Sequence, residues 1–450
     1  MRFTAFRLTW LDSREEKIPR LIISDTLQTG RGGTAARMTM NDFLTAPVFD
    51  HVLLTNGLVL FAIFLLLLRF LPDFARHLTL LLVSLALIEI ATSPFYVFLF
   101  TALTGCLYYG LFWLQWSKHK KVYSFLISCG LVILYFLLLD LPAFQTPWTG
   151  PMVHRFGVAY SLFRLLSVTL DVGRGRPLPA DPLDFFVYAF FAPTFFQGPI
   201  ESLEEFRKNL SSPPPLKIGD MGSHIIRIVV ACLKGWVALR FFELDWKEYF
   251  DHPQRFSYGF LVWGLYARAI SFYLFVSAAN DLTIGCCAVA GYRLSENFDY
   301  PYFKKNLAEF WRSWHMTLFR FLREYIYIPL GGNRRHVYLN YLIVFMAAAL
   351  WHVTSKAFIL WGLWHGVGMC ILKLWQNFWK NVETTRAPTF FRAIQLRSRD
   401  YPRCVALAST LVTFHYVALG WLPFWGGHPQ GLSLILRLIS GNRWRLFLWD

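Results

Sequence analysis

A chain of 450 residues, 55% of them hydrophobic and only 16% charged, lacks the polar exterior of a soluble protein this long. Soluble domains carry about a quarter charged residues. The net charge of +16 does not read as a nucleic-acid footprint, because the basic residues fall in short segments between apolar runs: Lys118 to Lys121, Arg174 and Arg176, and Arg392 to Arg403. That pattern predicts an all-α, polytopic membrane protein whose basic loops face anionic lipid on the cytoplasmic side.

Residues 1–37 are polar and mixed in charge, with no apolar core of a cleaved signal peptide. They are expected to be a separate tail, disordered or translated from a misassigned start, since Met38 and Met40 directly precede membrane-like sequence. Residues 38–450 are expected to form one transmembrane domain. Its first span is predicted over Leu53–Leu71. His77–Leu114 follows as two helices broken at Pro94, then Val122–Leu141. Further segments are predicted over 155–171, 185–198, 222–242, 257–290, 338–352, 356–376 and 404–425, with a short helix near 431–440. That makes about nine to eleven membrane segments. The stretches 141–154, 174–183, 209–218 and 382–390 read as loops within the domain, and Gly173-Arg-Gly-Arg as a flexible one.

The segment Asn297–Arg335 breaks the pattern. It mixes Trp, Tyr and Phe with seven basic residues, too polar for a spanning helix. It reads as interfacial or re-entrant helices, ended by the turn at Pro329-Leu-Gly-Gly-Asn. His315 lies on this segment, in Phe310-Trp-Arg-Ser-Trp-His. His352 ends the next apolar run, in Ala349-Leu-Trp-His, and His365 follows in Trp361-Gly-Leu-Trp-His-Gly. Imidazole near membrane depth suits proton transfer to and from a hydroxyl. A Trp-His pair also serves as an interfacial anchor, so spacing alone leaves both readings open. Asn280-Asp281, inside an apolar run, could line a site. The seven cysteines show no metal or redox spacing and read as small core residues.

These residues resemble the membrane-bound O-acyltransferases, in particular the bacterial branch with the alginate O-acetylase and the teichoic-acid D-alanyl transferase. The resemblance rests on Phe191-Ala-Pro-Thr-Phe-Phe-Gln-Gly-Pro-Ile with Phe206, on Asn280-Asp-Leu-Thr-Ile-Gly and Gly291-Tyr-Arg-Leu-Ser-Glu-Asn-Phe, and on Phe310-Trp-Arg-Ser-Trp-His with Phe321-Leu-Arg-Glu-Tyr-Ile-Tyr-Ile-Pro-Leu-Gly-Gly-Asn-Arg. Leu350-Trp-His and Trp361-Gly-Leu-Trp-His-Gly complete it, in family order across roughly residues 155–425.

The resemblance implies a ring of helices around a central tunnel, with His352 as catalytic base and His315 orienting or polarising a reactant. Trp311, Arg323, Asn280, Asp281, Trp351 and His365 are implied as tunnel-lining or substrate-binding residues. It implies an acyl thioester donor, acetyl-coenzyme A or a phosphopantetheine carrier, and no bound cofactor or metal. An exported polysaccharide, or a periplasmic or extracellular acyl-relay protein, would receive the acyl group. The expected location is the bacterial cytoplasmic membrane. D-alanyl transfer to teichoic acid is the close alternative. A proton-coupled transporter or a non-catalytic scaffold would be alternatives of another class.

Overall fold

The computed structural model describes Phe64, Leu67, Leu68 and residues 70–91, 94–139, 150–195, 197–211, 218–240, 246–352, 356–384, 401–426 and 430–439. The polar tail 1–37, most of the expected span Leu53–Leu71 and most of the loops 141–154, 209–218 and 382–390 lie outside the described residues. Everything below concerns the unit from Met38 onward.

Among the described residues the chain is helical, without β-strands beyond a lone bridge between Phe298 and Trp314. Helices α1 (Asp73–Ala91), α2 (Pro94–Leu114), α3 (Lys120–Leu139) and α4 (Gly150–Gly173) come first. Next are α5 (Pro182–Phe190), α6 (Leu203–Ser211), α7 (Ile218–Arg240), α8 (Trp246–Asp251) and α9 (Tyr258–Val289). Short helices α10 (Leu307–Ser313) and α11 (Met316–Leu322) run into a π-helical turn at Arg323–Tyr327. Then come α12 (Val337–Leu350), α13 (Lys356–Thr384), α14 (Pro402–Gly426) and α15 (Gln430–Ile439).

Six of these, α2, α3, α7, α9, α13 and α14, are long and apolar enough to cross a membrane. Their outer faces carry exposed Phe98, Trp113, Ile133, Ile226, Leu233 and Leu411, a surface that lipid rather than water can cover. The protein is a multi-pass membrane protein. Six is a count among the described residues, and the expected first span Leu53–Leu71 lies mostly outside them. Helix α12 is apolar but only 14 residues long, and α1 carries Asp73, Arg76 and Glu89. The segment expected over 185–198 is no span at all. Its helix α5 ends after nine residues, a 3-10 turn follows at Ala192–Thr194 around Pro193, and six of the nine helical residues are buried in protein.

Side chains cap the shorter elements. Asp181 accepts from the Leu183 amide (2.8 Å) ahead of Pro182, and Asn306 accepts from the Glu309 amide (3.0 Å) at the start of α10. The far end of α5 is held from α4: buried Arg164 donates to the carbonyls of Tyr188 (3.0 Å) and Ala189 (3.3 Å) and to the Thr194 hydroxyl. A cation on those last carbonyls satisfies acceptors that the helix itself leaves bare. Helix α9 packs along α7, and α12 pairs with α13 as a hairpin.

Gly173-Arg-Gly-Arg was expected to be a flexible loop and is instead tied down. Arg174 lies over the Tyr325 ring at 4.6 Å and donates to the Glu324 carbonyl, while Arg176 pairs with Asp171 at 3.1 Å.

Candidate active site

His315 stands at the sharp junction between α10 and α11. Its backbone takes φ 48° and ψ 54°, the left-handed region that non-glycine residues seldom enter. This strained turn aims the imidazole between two partners: the Tyr160 hydroxyl lies 2.7 Å from Nε2, and Asn297 Oδ1 lies 3.2 Å from Nδ1.

The tautomer follows from the backbone. The Val276 carbonyl can only accept, so the Asn280 side chain must present its amide nitrogen there (2.9 Å). Asn280 Oδ1 therefore faces the Asn297 amide nitrogen, which donates to it at 2.8 Å. Asn297 Oδ1 is then left to accept, and it does so from the Thr317 amide (3.1 Å) and the Thr317 hydroxyl (2.9 Å). His315 Nδ1 must carry the proton it donates to that oxygen, and Nε2 is left with its lone pair towards Tyr160.

A second strand of hydrogen bonds fixes the loop over this centre. The Ile200 amide donates to the Thr317 hydroxyl (3.0 Å), and buried Glu201 accepts from the Ser295 amide (2.6 Å) and hydroxyl (2.9 Å). Burial raises the Glu201 carboxyl above the usual range, against the pull of both Ser295 donors. Gly198 has φ 77°, and a Cβ there would come within 2.8 Å of the Tyr160 ring. Glycine at 198 thus lets the loop take its turn and lets Tyr160 reach His315.

His352 is held differently. Its ring lies tilted against Trp351 (3.7 Å between centroids), stacks on Phe358 (5.1 Å) and meets Phe424 edge-on (5.1 Å). Among the described residues no side chain exchanges a hydrogen bond with it, and it stays half-buried. Trp351 in turn packs edge-on against Tyr160 (6.1 Å). The two imidazoles therefore flank one Tyr-Trp wall.

The remaining expected site residues divide. Asn280 joins the centre through Asn297. Asp281, one position on and about 100° round the helix, faces the other way. It pairs with Arg227 (2.7 Å) and Lys234 (2.6 Å) of α7, tying two spans together. Trp311 is buried edge-on to His365 (4.8 Å). His365 itself is fully buried among Trp311, Trp361 and Trp421, with neither ring nitrogen hydrogen-bonded among the described residues. Arg323 is exposed at the start of the π-helical turn, outside the His315 network. Tyr160, Asn297 and Thr317 were not anticipated as site residues. Asn297 gave one faint signal, an amide at the edge of the basic aromatic segment. Tyr160 gave none, being one aromatic among many.

A family model described as MBOAT, the membrane-bound O-acyltransferase family, matches residues 80–395. A probable alginate O-acetylase of Pseudomonas putida is 30% identical over 226 residues, 48% of this chain and 45% of the relative. A peptidoglycan O-acetyltransferase of Helicobacter pylori is 31% identical over 197 residues, 43% of this chain and 33% of the relative. A teichoic acid D-alanyltransferase of Bacillus subtilis is 25% identical over 339 residues, 69% of this chain and 80% of the relative. The chain spans about half the length, or less, of the O-acetyl-transferring relatives it matches.

Proposed function

This chain belongs to the membrane-bound O-acyltransferase family, and on that premise we propose that it moves an acetyl or similar short acyl group from a cytoplasmic thioester to hydroxyls of an exported polysaccharide. The observation that carries the reading is the pair of imidazoles on the Tyr160–Trp351 wall, one with a fixed tautomer and one that shares no hydrogen bond with a described side chain.

In this reading His352 is the general base and His315, with Tyr160, orients the acceptor hydroxyl. His352 takes the hydroxyl proton as the oxygen attacks the thioester carbon. The tetrahedral intermediate collapses, the C–S bond breaks, and the imidazolium returns its proton to the leaving thiolate. The donor is acetyl-coenzyme A or a phosphopantetheine carrier, entering a tunnel from the cytoplasmic side. A periplasmic or extracellular relay protein completes delivery, and the enzyme sits in the bacterial cytoplasmic membrane. D-alanyl transfer is the second reading, favoured by the longer reach of the match to the Bacillus subtilis relative.

The test uses membranes containing the full chain, labelled donor and a hydroxylated polymer. His352→Ala, expressed at wild-type level, should lose about 10²- to 10⁴-fold in transfer. Transfer persisting near the wild-type rate would end the proposal. Mild alkaline release of acetate rather than D-alanine from the product separates the two readings.

A further inference from the structure

Arg268 lies on α9 and is only 4% exposed. Its guanidinium carbon is 4.6 Å from the centre of the Trp246 ring and 5.6 Å from that of Trp425. Among the described residues no carboxylate, carbonyl or hydroxyl accepts from it. Nε and one terminal nitrogen are buried without a partner, and so is Nε1 of Trp425.

The sandwich is built into the fold. Gly264, one turn earlier, admits the Tyr249 ring where a Cβ would not fit, and the Tyr249 hydroxyl donates to the Leu261 carbonyl (2.6 Å). That contact seats α8, and with it Trp246, against α9. On the other side Trp425 packs on Phe272 (5.8 Å) and Trp421 (6.2 Å).

Two indole faces offset part of the cost of burying a cation, but a desolvated charge without a counter-ion remains expensive. All three unpartnered atoms are N–H donors. What the described residues do not supply is an acceptor, and beside a guanidinium fork the matching acceptor is an oxyanion. The position suits a reactant. Phe424 adjoins Trp425 in sequence and lies 5.1 Å from the His352 ring, so neighbouring side chains of α14 wall Arg268 and the proposed base.

We propose that Arg268, between Trp246 and Trp425, binds a carboxylate or phosphate ester carried by one of the two reactants of acyl transfer. The naming of reactants rests on the proposed function; the oxyanion site does not. The shared chemistry has two sources: the phosphates of the donor, or acidic groups along the acceptor polymer.

Melting of the full-length protein in lipid nanodiscs tests this with three probes: acetyl-coenzyme A, a galacturonic acid trisaccharide and the neutral maltotriose. One charged probe should raise the melting temperature of the wild type, and maltotriose should not. Arg268→Met should melt no lower than the wild type, because it removes a buried charge that no described residue pairs with, yet lose that probe's shift. Its KM for the matching reactant should rise roughly thirty-fold with kcat within about threefold. Arg268→Lys, a point charge without the fork, should show a weakened shift, and it decides the matter if the Met variant does not fold.

A shift lost for acetyl-coenzyme A assigns the donor; one lost for the uronate assigns the acceptor. Wild-type shifts retained in either variant that folds, or no charged probe shifting the wild type, would overturn the site. Wild-type protein that binds a charged probe through Arg268 but transfers no acyl group would keep this inference and sink the proposed function instead.

Discussion

The two histidines of the candidate site are held by opposite means. His315 sits in a strained turn with both ring nitrogens engaged, at the end of a relay from the Val276 carbonyl through Asn280 and Asn297. His352 sits on an aromatic shelf, its ring stacked on Phe358, tilted against Trp351 and half-buried. A polar relay fixes a tautomer and an orientation. A stack fixes a plane and leaves the ring nitrogens free to meet a reactant. The contrast suits a division of labour, with one imidazole positioning and the other exchanging protons.

The largest effect short of removing an imidazole is expected from Asn297→Ala, which cuts the relay at its middle. Transfer should fall roughly tenfold to a hundredfold, a part of what positioned proton transfer contributes, while the protein still inserts and folds. Steady-state rates and detergent melting curves measured together check this, and an unchanged rate would mean that the His315 tautomer does not matter. Gly198→Ala comes next. It forces a side chain onto a positive φ and against Tyr160, so it should cost about 1–3 kcal/mol of stability and lower transfer about tenfold by displacing Tyr160.

Tyr160→Phe keeps the ring and removes only the hydroxyl at Nε2. With a net hydrogen-bond worth of about 0.5–1.5 kcal/mol, transfer should drop about twofold to tenfold; a hundredfold loss would make Tyr160 a participant in the chemistry. The smallest effect belongs to Arg323→Ala. This exposed residue outside the network should change kcat/KM by less than about twofold, and a larger change would return it to the site.

Much of the fold was legible because hydropathy is written along the chain. The span expected over 257–290 is α9 at Tyr258–Val289, and that over 404–425 is α14 at Pro402–Gly426. That Asn297–Arg335 forms no single spanning helix was equally plain from its seven basic residues, and it folds as the short helices α10 and α11. The segment over 185–198 misled because an apolar run buried in protein reads the same as one facing lipid.

The sequence by itself determined that this is a helical membrane protein, where most of its long helices lie and that His315, His352 and His365 follow one another on and after its basic aromatic segment. Only the tertiary structure decided which polar groups meet. Asn280 and Asp281 are neighbours in sequence, yet one feeds His315 while the other locks α9 to α7. Tyr160 reaches His315 across 155 positions. Burial propensity is a local property of side chains, whereas a hydrogen-bond partner is a fact of three-dimensional geometry, and no pattern along one strand of sequence encodes it.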